Sequence, residues 1–388
     1  MARRLSWLRL VACLLVAMGS ALVMPAAVAD AAPSRASTAS AGYLHTCAVT
    51  SKGAARCWGA NEYGQLGNNV TTDSAAPVGV YGLGSKVKNV TSGYLHSCAL
   101  TTKGRVWCWG NNSYGQLGDN STTNSARPVA VVGLGAGVRA IDAGWFDTCA
   151  ITAKGAVKCW GNNSYGQLGN NTTTSSLTPV SVHGLTHGVK AVSASYFHTC
   201  AITAKGAAKC WGNNSWGELG DNTANDSARP VGVHGLTGGV KQISAGYTST
   251  CAVTSKGAAK CWGSNLYGQL GDNSTATTRK PVNVYGLGSH IKSVKAGGYH
   301  ACALTTAGGV RCWGMNDEGQ LGDSSTASSL KPVVVATSDK MRVITAGFEH
   351  TCAITAQRAI TCWGYNQRGQ LGDNSTTNSV LPVTVVGF

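Results

Sequence analysis

Fourteen of the fifteen cysteines fall into seven evenly spaced pairs, and that spacing constrains the fold more than any other feature. The pairs are Cys47 with Cys57, Cys98 with Cys108, Cys149 with Cys159, Cys200 with Cys210, Cys251 with Cys261, Cys302 with Cys312 and Cys352 with Cys362, each with nine residues between its members. Successive pairs advance by 51 residues five times and then by 50. A period near 50 residues marks a repeat architecture, in which each unit buries its apolar face only against a neighbour. Repetition also answers the problem of length, since 388 residues exceed what one ordinary core serves.

Each pair frames a hairpin. In the first copy, Ser51-Lys52-Gly53 forms a three-residue loop with Gly53 in the left-handed position. Thr50 then faces Ala54, and counting outward brings Cys47 opposite Cys57 at a non-hydrogen-bonded pair. There the Cα atoms approach to about 4.5 Å, at the short end of what a disulfide accepts. The spacing therefore predicts seven local disulfides. Zinc is the competing reading, but paired zinc thiolates prefer two to four intervening residues. Closing an 11-residue loop stabilises a hairpin by ~2–3 kcal/mol in the chain-entropy model. Gly104, Gly155, Gly206, Gly257 and Gly308 repeat the left-handed slot, whereas the seventh copy has Arg358, so that turn is expected to be strained or differently shaped.

The rest of the repeat reads as strands. In the fourth copy, 189–193 alternates as a strand, 194–198 is a bend, and 199–203 and 208–211 are the second and third strands. Residues 212–220 form a turn-rich loop and 221–229 a polar segment. The run 230–236 reads as a fourth strand, assigned to the following unit. Charged residues are only 12% of the chain and glycine is abundant, which suits short strands joined by turns. Four short strands per repeat fit a propeller blade.

Two motifs then become specific. Gly-x-x-His-Thr-Cys-Ala-(Ile/Leu/Val)-Thr is followed by Trp-Gly-x-Asn-x-x-Gly-Gln-Leu-Gly, as in Trp58-Gly59 with Gly64-Gln65-Leu66-Gly67; one copy carries Glu218 for Gln. Together they resemble the regulator of chromosome condensation repeat family, over about residues 36–388. The resemblance implies an all-β, seven-bladed β-propeller with four-stranded antiparallel blades, here of a secreted bacterial kind. The first strand copy, Ala36 to Ser40, is weak, and the chain ends on a lone fourth-strand copy, Pro382 to Phe388. The expectation is a ring closed by N- and C-terminal strands sharing the first blade, which would remove exposed edges.

The N-terminus reads as a secretory signal peptide over residues 1–29: Arg3, Arg4 and Arg9 precede an apolar run, and Ala27-Val28-Ala29 fits a cleavage site. A lipid anchor at Cys13 fits poorly, because most of the apolar run follows it. A short linker, 30–35, leads to the propeller, with repeat units at about 36–86, 87–137, 138–188, 189–239, 240–290, 291–340 and 341–388. No stretch reads as a membrane span, and the chain reads as a secreted monomer. The formal charge of +15 favours acidic partners or surfaces.

Several repeated positions are candidates for function, each with a plainer reading. Trp58, Trp109, Trp160, Trp211, Trp262, Trp313 and Trp363 follow the second cysteine; they form either a ligand-binding aromatic ring or, the favoured reading, packing between blades. His45, His96, His198, His300 and His350 share one position with Asp147 and Ser249. A metal or pH-sensing ring is one reading; the resemblance favours a structural role, each imidazole bonding a neighbouring backbone. Lys52, Lys103, Lys154, Lys205 and Lys256 in the turns, with Arg56, Lys158, Lys209, Lys260 and Arg311 before the second cysteine, form a basic belt. It suits either anionic polymers or mere solubility. Asp-Asn-Ser-Thr segments such as Asp119 to Thr122 read as Asx turns, with too few carboxylates for calcium.

Catalytic signatures are missing from the sequence, and Ser328-Ser-Leu-Lys331 matches Ser-x-x-Lys by chance. The reading is a non-enzymatic binding propeller without metal or cofactor, whose partner is an extracellular protein or an anionic cell-wall polymer. Alternatives are an extracellular enzyme inhibitor of the β-lactamase-inhibitor kind, as the resemblance allows, a guanine-nucleotide exchange or chromatin-type regulator, and a wall-polymer hydrolase or lyase.

Overall fold

The computed structural model describes residues 34–388. The signal-peptide reading and most of the linker lie outside the described residues. The described elements are twenty-eight strands, grouped as seven antiparallel four-stranded sheets. The first blade comprises β1 (Ala36–Ala41), β2 (His45–Thr50), β3 (Ala55–Gly59) and β4 (Ser74–Gly79), in that spatial order. The other blades repeat it over 87–130, 138–181, 191–232, 240–283, 291–334 and 341–384. Strands equivalent to β1 of successive blades adjoin one another, so β1 is innermost and β4 outermost.

The hairpin is the one the cysteine spacing predicts. Thr50 N–H donates to the Ala54 carbonyl, Gly53 has φ +80°, and Cys47 pairs with Cys57 across the second and third strands. The same register brings Cys98 opposite Cys108, Cys149 opposite Cys159 and Cys200 opposite Cys210. It also brings Cys251 opposite Cys261, Cys302 opposite Cys312 and Cys352 opposite Cys362. Each of these seven pairs is joined by a disulfide. The Cα separations are 4.0–4.1 Å, which corrects the expected spacing of about 4.5 Å. The covalent bond draws the two strands together beyond the distance an unbridged non-hydrogen-bonded pair keeps. Arg358 adopts φ +72° and donates its N–H to the Thr355 carbonyl, as Gly53 does to Thr50. The seventh turn therefore keeps its shape and places a side chain in a region that favours glycine.

The ring does not close as the sequence phase suggests. The last strand, Ser379–Thr384, pairs with the third strand of its own blade through Cys362 and Val383, as β4 pairs with β3 through Cys57 and Val78. The run 230–236 likewise completes the fourth blade instead of opening the next. Among the described residues no blade is shared by the two termini. Closure uses the contact made at every other junction. Val87 N–H donates to the Gly53 carbonyl between the first two blades, and Ala36 N–H donates to the Arg358 carbonyl between the last and the first. Arg368 adds ion pairs across this seam to Glu62 (2.9 Å) and Asp73 (3.0 Å), and Phe388 packs on Trp58. The outer edges stay open but are blunted: every fourth strand carries one proline, from Pro77 to Pro382.

The core is a set of seven inter-blade layers. One layer joins Cys47, Val49, Cys57 and Leu66 of the first blade to Val90, Ala99 and Trp109 of the second. The disulfide face of each blade is thus covered by the tryptophan of the next.

Candidate functional site

Each blade junction is held by a polar clasp built on a buried tryptophan, complete at five of the seven. The Gln65 carbonyl accepts from Trp109 Nε1–H (2.8 Å) and from the Ser97 hydroxyl (2.9 Å). His45 Nε2 lies 2.8 Å from the same hydroxyl. Because that hydroxyl donates to the carbonyl, it accepts from the imidazole N–H. The indole–carbonyl bond recurs at all seven junctions, closing with Trp58 on Gln370. Each of these tryptophans is fully buried, as the packing reading expects. His96, His198, His300 and His350 make the same bond to Thr148, Thr250, Thr351 and Thr46. The expected backbone partner is thus replaced by a hydroxyl of the next blade. Burial pushes the imidazoles down to about 3, and to about 4 for His300, so they are neutral.

Two junctions depart from the clasp. Asp147 sits in the histidine slot, fully buried, with both carboxylate oxygens unpartnered, and burial raises its pKa well above the usual carboxylate range. Ser249 faces Ala301, so both partners of that link are changed together. Glu218, in the glutamine slot, is raised to about 7 by burial.

The innermost strands wall a central cavity of about 110 Å³. Its hydroxyls link the blades: Ser40, Thr91, Ser193, Ser244 and Thr345 each accept a backbone N–H from the next blade, and Asp142 does so from Ala194. Lys295 occupies the seventh such position. Burial raises the Asp142 pKa, and Lys295 opposes that.

One end of the cavity is roofed by aromatics. The bends between the first and second strands contribute Tyr43, Tyr94, Trp145, Tyr196, Tyr247 and Phe348, with ring centroids as close as 4.0 Å for Trp145–Tyr196 and 4.4 Å for Tyr43–Tyr94. These rings are half-buried. An outer arc continues outward on the third-to-fourth-strand loops: Tyr63, Tyr114, Tyr165, Trp216 and Tyr267 are 36–43% exposed. Phe146, Phe197 and Tyr299 bridge the two arcs, 4.7–5.2 Å from the outer rings and 3.4–5.3 Å from the inner ones. In the last two blades the outer positions become Glu318 and Arg368. Burial raises the Glu349 pKa there, and the neighbouring Glu318 and Asp317 add to the shift. This face was not legible as a site, because its residues fall in bends; the signal is an aromatic two residues before the histidine slot at a 51-residue period.

The opposite face is cationic. Lys52, Lys103, Lys154, Lys205 and Lys256 stand exposed at the hairpin tips. Arg56, Lys158, Lys209 and Lys260 are half-buried on the third strands, and Arg311 is exposed. Some of these are engaged: Lys260 Nζ donates to Asn283 Oδ1 (2.7 Å) and Arg56 lies over the Phe388 ring. The belt is therefore two rows, one free and one partly tied down. Sequence reading missed a third row, Lys88, Arg139, Lys190, Lys241, Lys292 and Arg342, exposed at the head of the innermost strands. Lys292 Nζ reaches the Arg342 carbonyl of the next blade (2.9 Å). Among the loops of this face, Asp339 is the one acid; most others lie in the third-to-fourth-strand loops. There Asp119, Asp272 and Asp373 accept from the backbone and hydroxyl of the serine two residues on, as Asx turns do. Among the described residues no three His, Cys, Asp or Glu side chains converge on a metal position.

A closed ring of seven four-stranded blades, with its contact residues on loops at both ends, is a propeller built to present surfaces. The chain belongs to the regulator of chromosome condensation family: the RCC1-like domain model matches residues 19–257, and RCC1 repeat models match 257–304 and 307–354. It is 32% identical over 83% of its length to the Ultraviolet-B receptor UVR8 of Arabidopsis thaliana, spanning 74% of that protein. It is 34% identical over 74% of its length to the human E3 ubiquitin-protein ligase HERC2, of which it spans 6%. The structure of yeast RCC1 (Prp20) bound to Kap60 superposes with a TM-score of 0.77 at 21% identity, covering 85% of this chain and 83% of that one. That likeness is one of fold.

Proposed function

We propose that the chain is a secreted, non-catalytic binding propeller that recognises an extracellular protein through its aromatic face. The observation that carries this is the concentric array of half-exposed Tyr, Trp and Phe rings on a rigid seven-bladed frame. Such rings supply large contact area at little entropic cost, and Tyr and Trp dominate binding hot spots. Yeast RCC1, a protein of the same fold, holds a protein partner, Kap60. Seven disulfides favour an oxidising compartment, in keeping with the signal-like N-terminus. An extracellular enzyme is one such partner, which keeps the inhibitor reading within this proposal. Nucleotide exchange is not favoured, because the evenly spaced blades leave no inserted wedge. Hydrolysis is not favoured either, because the sequence carries none of the motifs that such chemistry uses.

The test uses the chain without residues 1–29 as bait against a culture supernatant. The expected result is a single protein retained at high salt and weakened tenfold or more by Tyr114→Ser with Trp216→Ser, as hot-spot truncation implies. Retention unaffected by both would overturn the reading. A second reading, binding of an anionic wall polymer, is favoured by the three cation rows with Asp339 as the one acid in their loops. It predicts retention that falls steeply with salt.

A further inference from the structure

Repeat arrays make departures conspicuous, and two of them converge at one place. In the slot before the hairpin's third strand, six blades carry Ala54, Ala156, Ala207, Ala258, Gly309 and Ala359, and the second blade carries Arg105. Where five blades place Lys or Arg before the second cysteine, and the seventh Thr361, the second blade places Trp107. The slot that Gly137, Gly188 and Gly239 fill at the next three junctions, and Arg35, His290 and Lys340 at the others, here holds Lys86 at φ +64°.

These residues line one groove of about 580 Å³ on the cationic face, together with Tyr81, Lys103 and Pro128. The volume falls in the size class of small-molecule sites. Lys86, Lys103 and Arg105 are exposed, Trp107 is half-buried, and Tyr81 is 54% exposed. Arg127 lies over the Tyr81 ring at 4.7 Å, adding a fourth cation beside the groove. Among the described residues no acidic side chain lines it. Flat aromatic surface beside unopposed cations fits a ring that is apolar on its face and anionic at its edge.

We propose that this groove binds an acidic saccharide, with a pyranose ring against Trp107 and its carboxylate held by Lys86, Lys103 and Arg105. The proposal rests on reading the cationic face as an anion-binding surface, and it turns that diffuse charge into one subsite. Blade two is its centre because only there do the aromatic ring and the extra guanidinium replace the repeat's own residues.

The test measures binding of a hyaluronan tetrasaccharide to the full propeller by calorimetry and saturation-transfer NMR. A neutral chitotetraose and a short polyphosphate serve as the other probes. The variants restore what other blades carry: Trp107→Lys, Arg105→Ala and Lys86→Gly, each compatible with the blade fold by the array's own precedent. The expected result is that hyaluronan binds more tightly than either other probe, that Trp107→Lys and Arg105→Ala each weaken it tenfold or more, and that Trp107→Lys leaves polyphosphate binding unchanged or stronger. Preference for chitotetraose, or hyaluronan binding untouched by the three variants, would overturn the subsite. If polyphosphate binds as well as hyaluronan and only charge reversal of Lys88, Lys190 and Lys241 abolishes both, the groove proposal fails while the wider anion-binding reading stands. Binding of no anion at low salt would remove both.

Discussion

At the scale of single residues, the repeat acts as an internal control, since each slot is filled seven times. Arg358 holds the left-handed turn position that six glycines hold elsewhere. Arg358→Gly is expected to raise stability by about 1 kcal/mol, read as a higher melting temperature. Asp147 buries a carboxyl where most blades bond a histidine to the next blade's hydroxyl, and Thr199 lies in the hydroxyl slot facing it. Asp147→His restores that link and is expected to stabilise by about 1–2 kcal/mol at pH 7. The five buried imidazoles also set the acid response. Their folded pKa values, about 3 to 4, lie below the unfolded value of about 6.5. The fold holds them neutral, so their stabilisation is complete above pH 6.5 and is lost as pH falls from there toward 3. Each contributes a slope of about 1.4 kcal/mol per pH unit in that window. Asp142, Asp147 and Glu218, raised by burial, act in the opposite sense and offset part of it. Urea midpoints are therefore expected to fall between pH 7 and 5, and His198→Asn to flatten the decline by about one histidine's share; a midpoint that does not fall would refute this account.

At the scale of elements, each disulfide ties only the second and third strands of its own blade. Replacing Cys200 and Cys210 together with alanine is expected to cost ~2–3 kcal/mol, with the ring intact by near-UV circular dichroism. The hairpins were legible because their evidence is local: nine intervening residues and a glycine fix the register from Cys47 to Cys57, and again from Cys98 to Cys108 and from Cys302 to Cys312. The fourth strand was not. A run such as 230–236 has the same sequence whether it joins the blade before it or the one after, and only the pairing of Cys210 with Val231 decides. The aromatic face was hidden for a related reason. Tyr43, Tyr94 and Trp145 are distant along the chain and sit in bends, where no strand alternation marks them as facing a common point. The inner cation row was missed because its ring arrangement depends on which strand is innermost.

At the scale of the whole molecule, closure by ordinary junction contacts makes the seam between the last and first blades much like the other six. Ser34 N–H donates to the Gly387 carbonyl (3.0 Å), so the described chain ends are adjacent. A circular permutant opened at residue 86 with residues 34 and 388 joined by a short linker is expected to fold with a melting temperature within a few degrees of the parent. A shared closing blade would predict severe destabilisation instead. The segregation of charge has a consequence for how such a disc meets a boundary. Cations crowd one flat side while most of the acids and both aromatic arcs hold the other, so the molecule carries an axial electric moment. Beside a negatively charged sheet it would settle flat, like a coin falling always on the same side, with its aromatic side turned to the passing solvent.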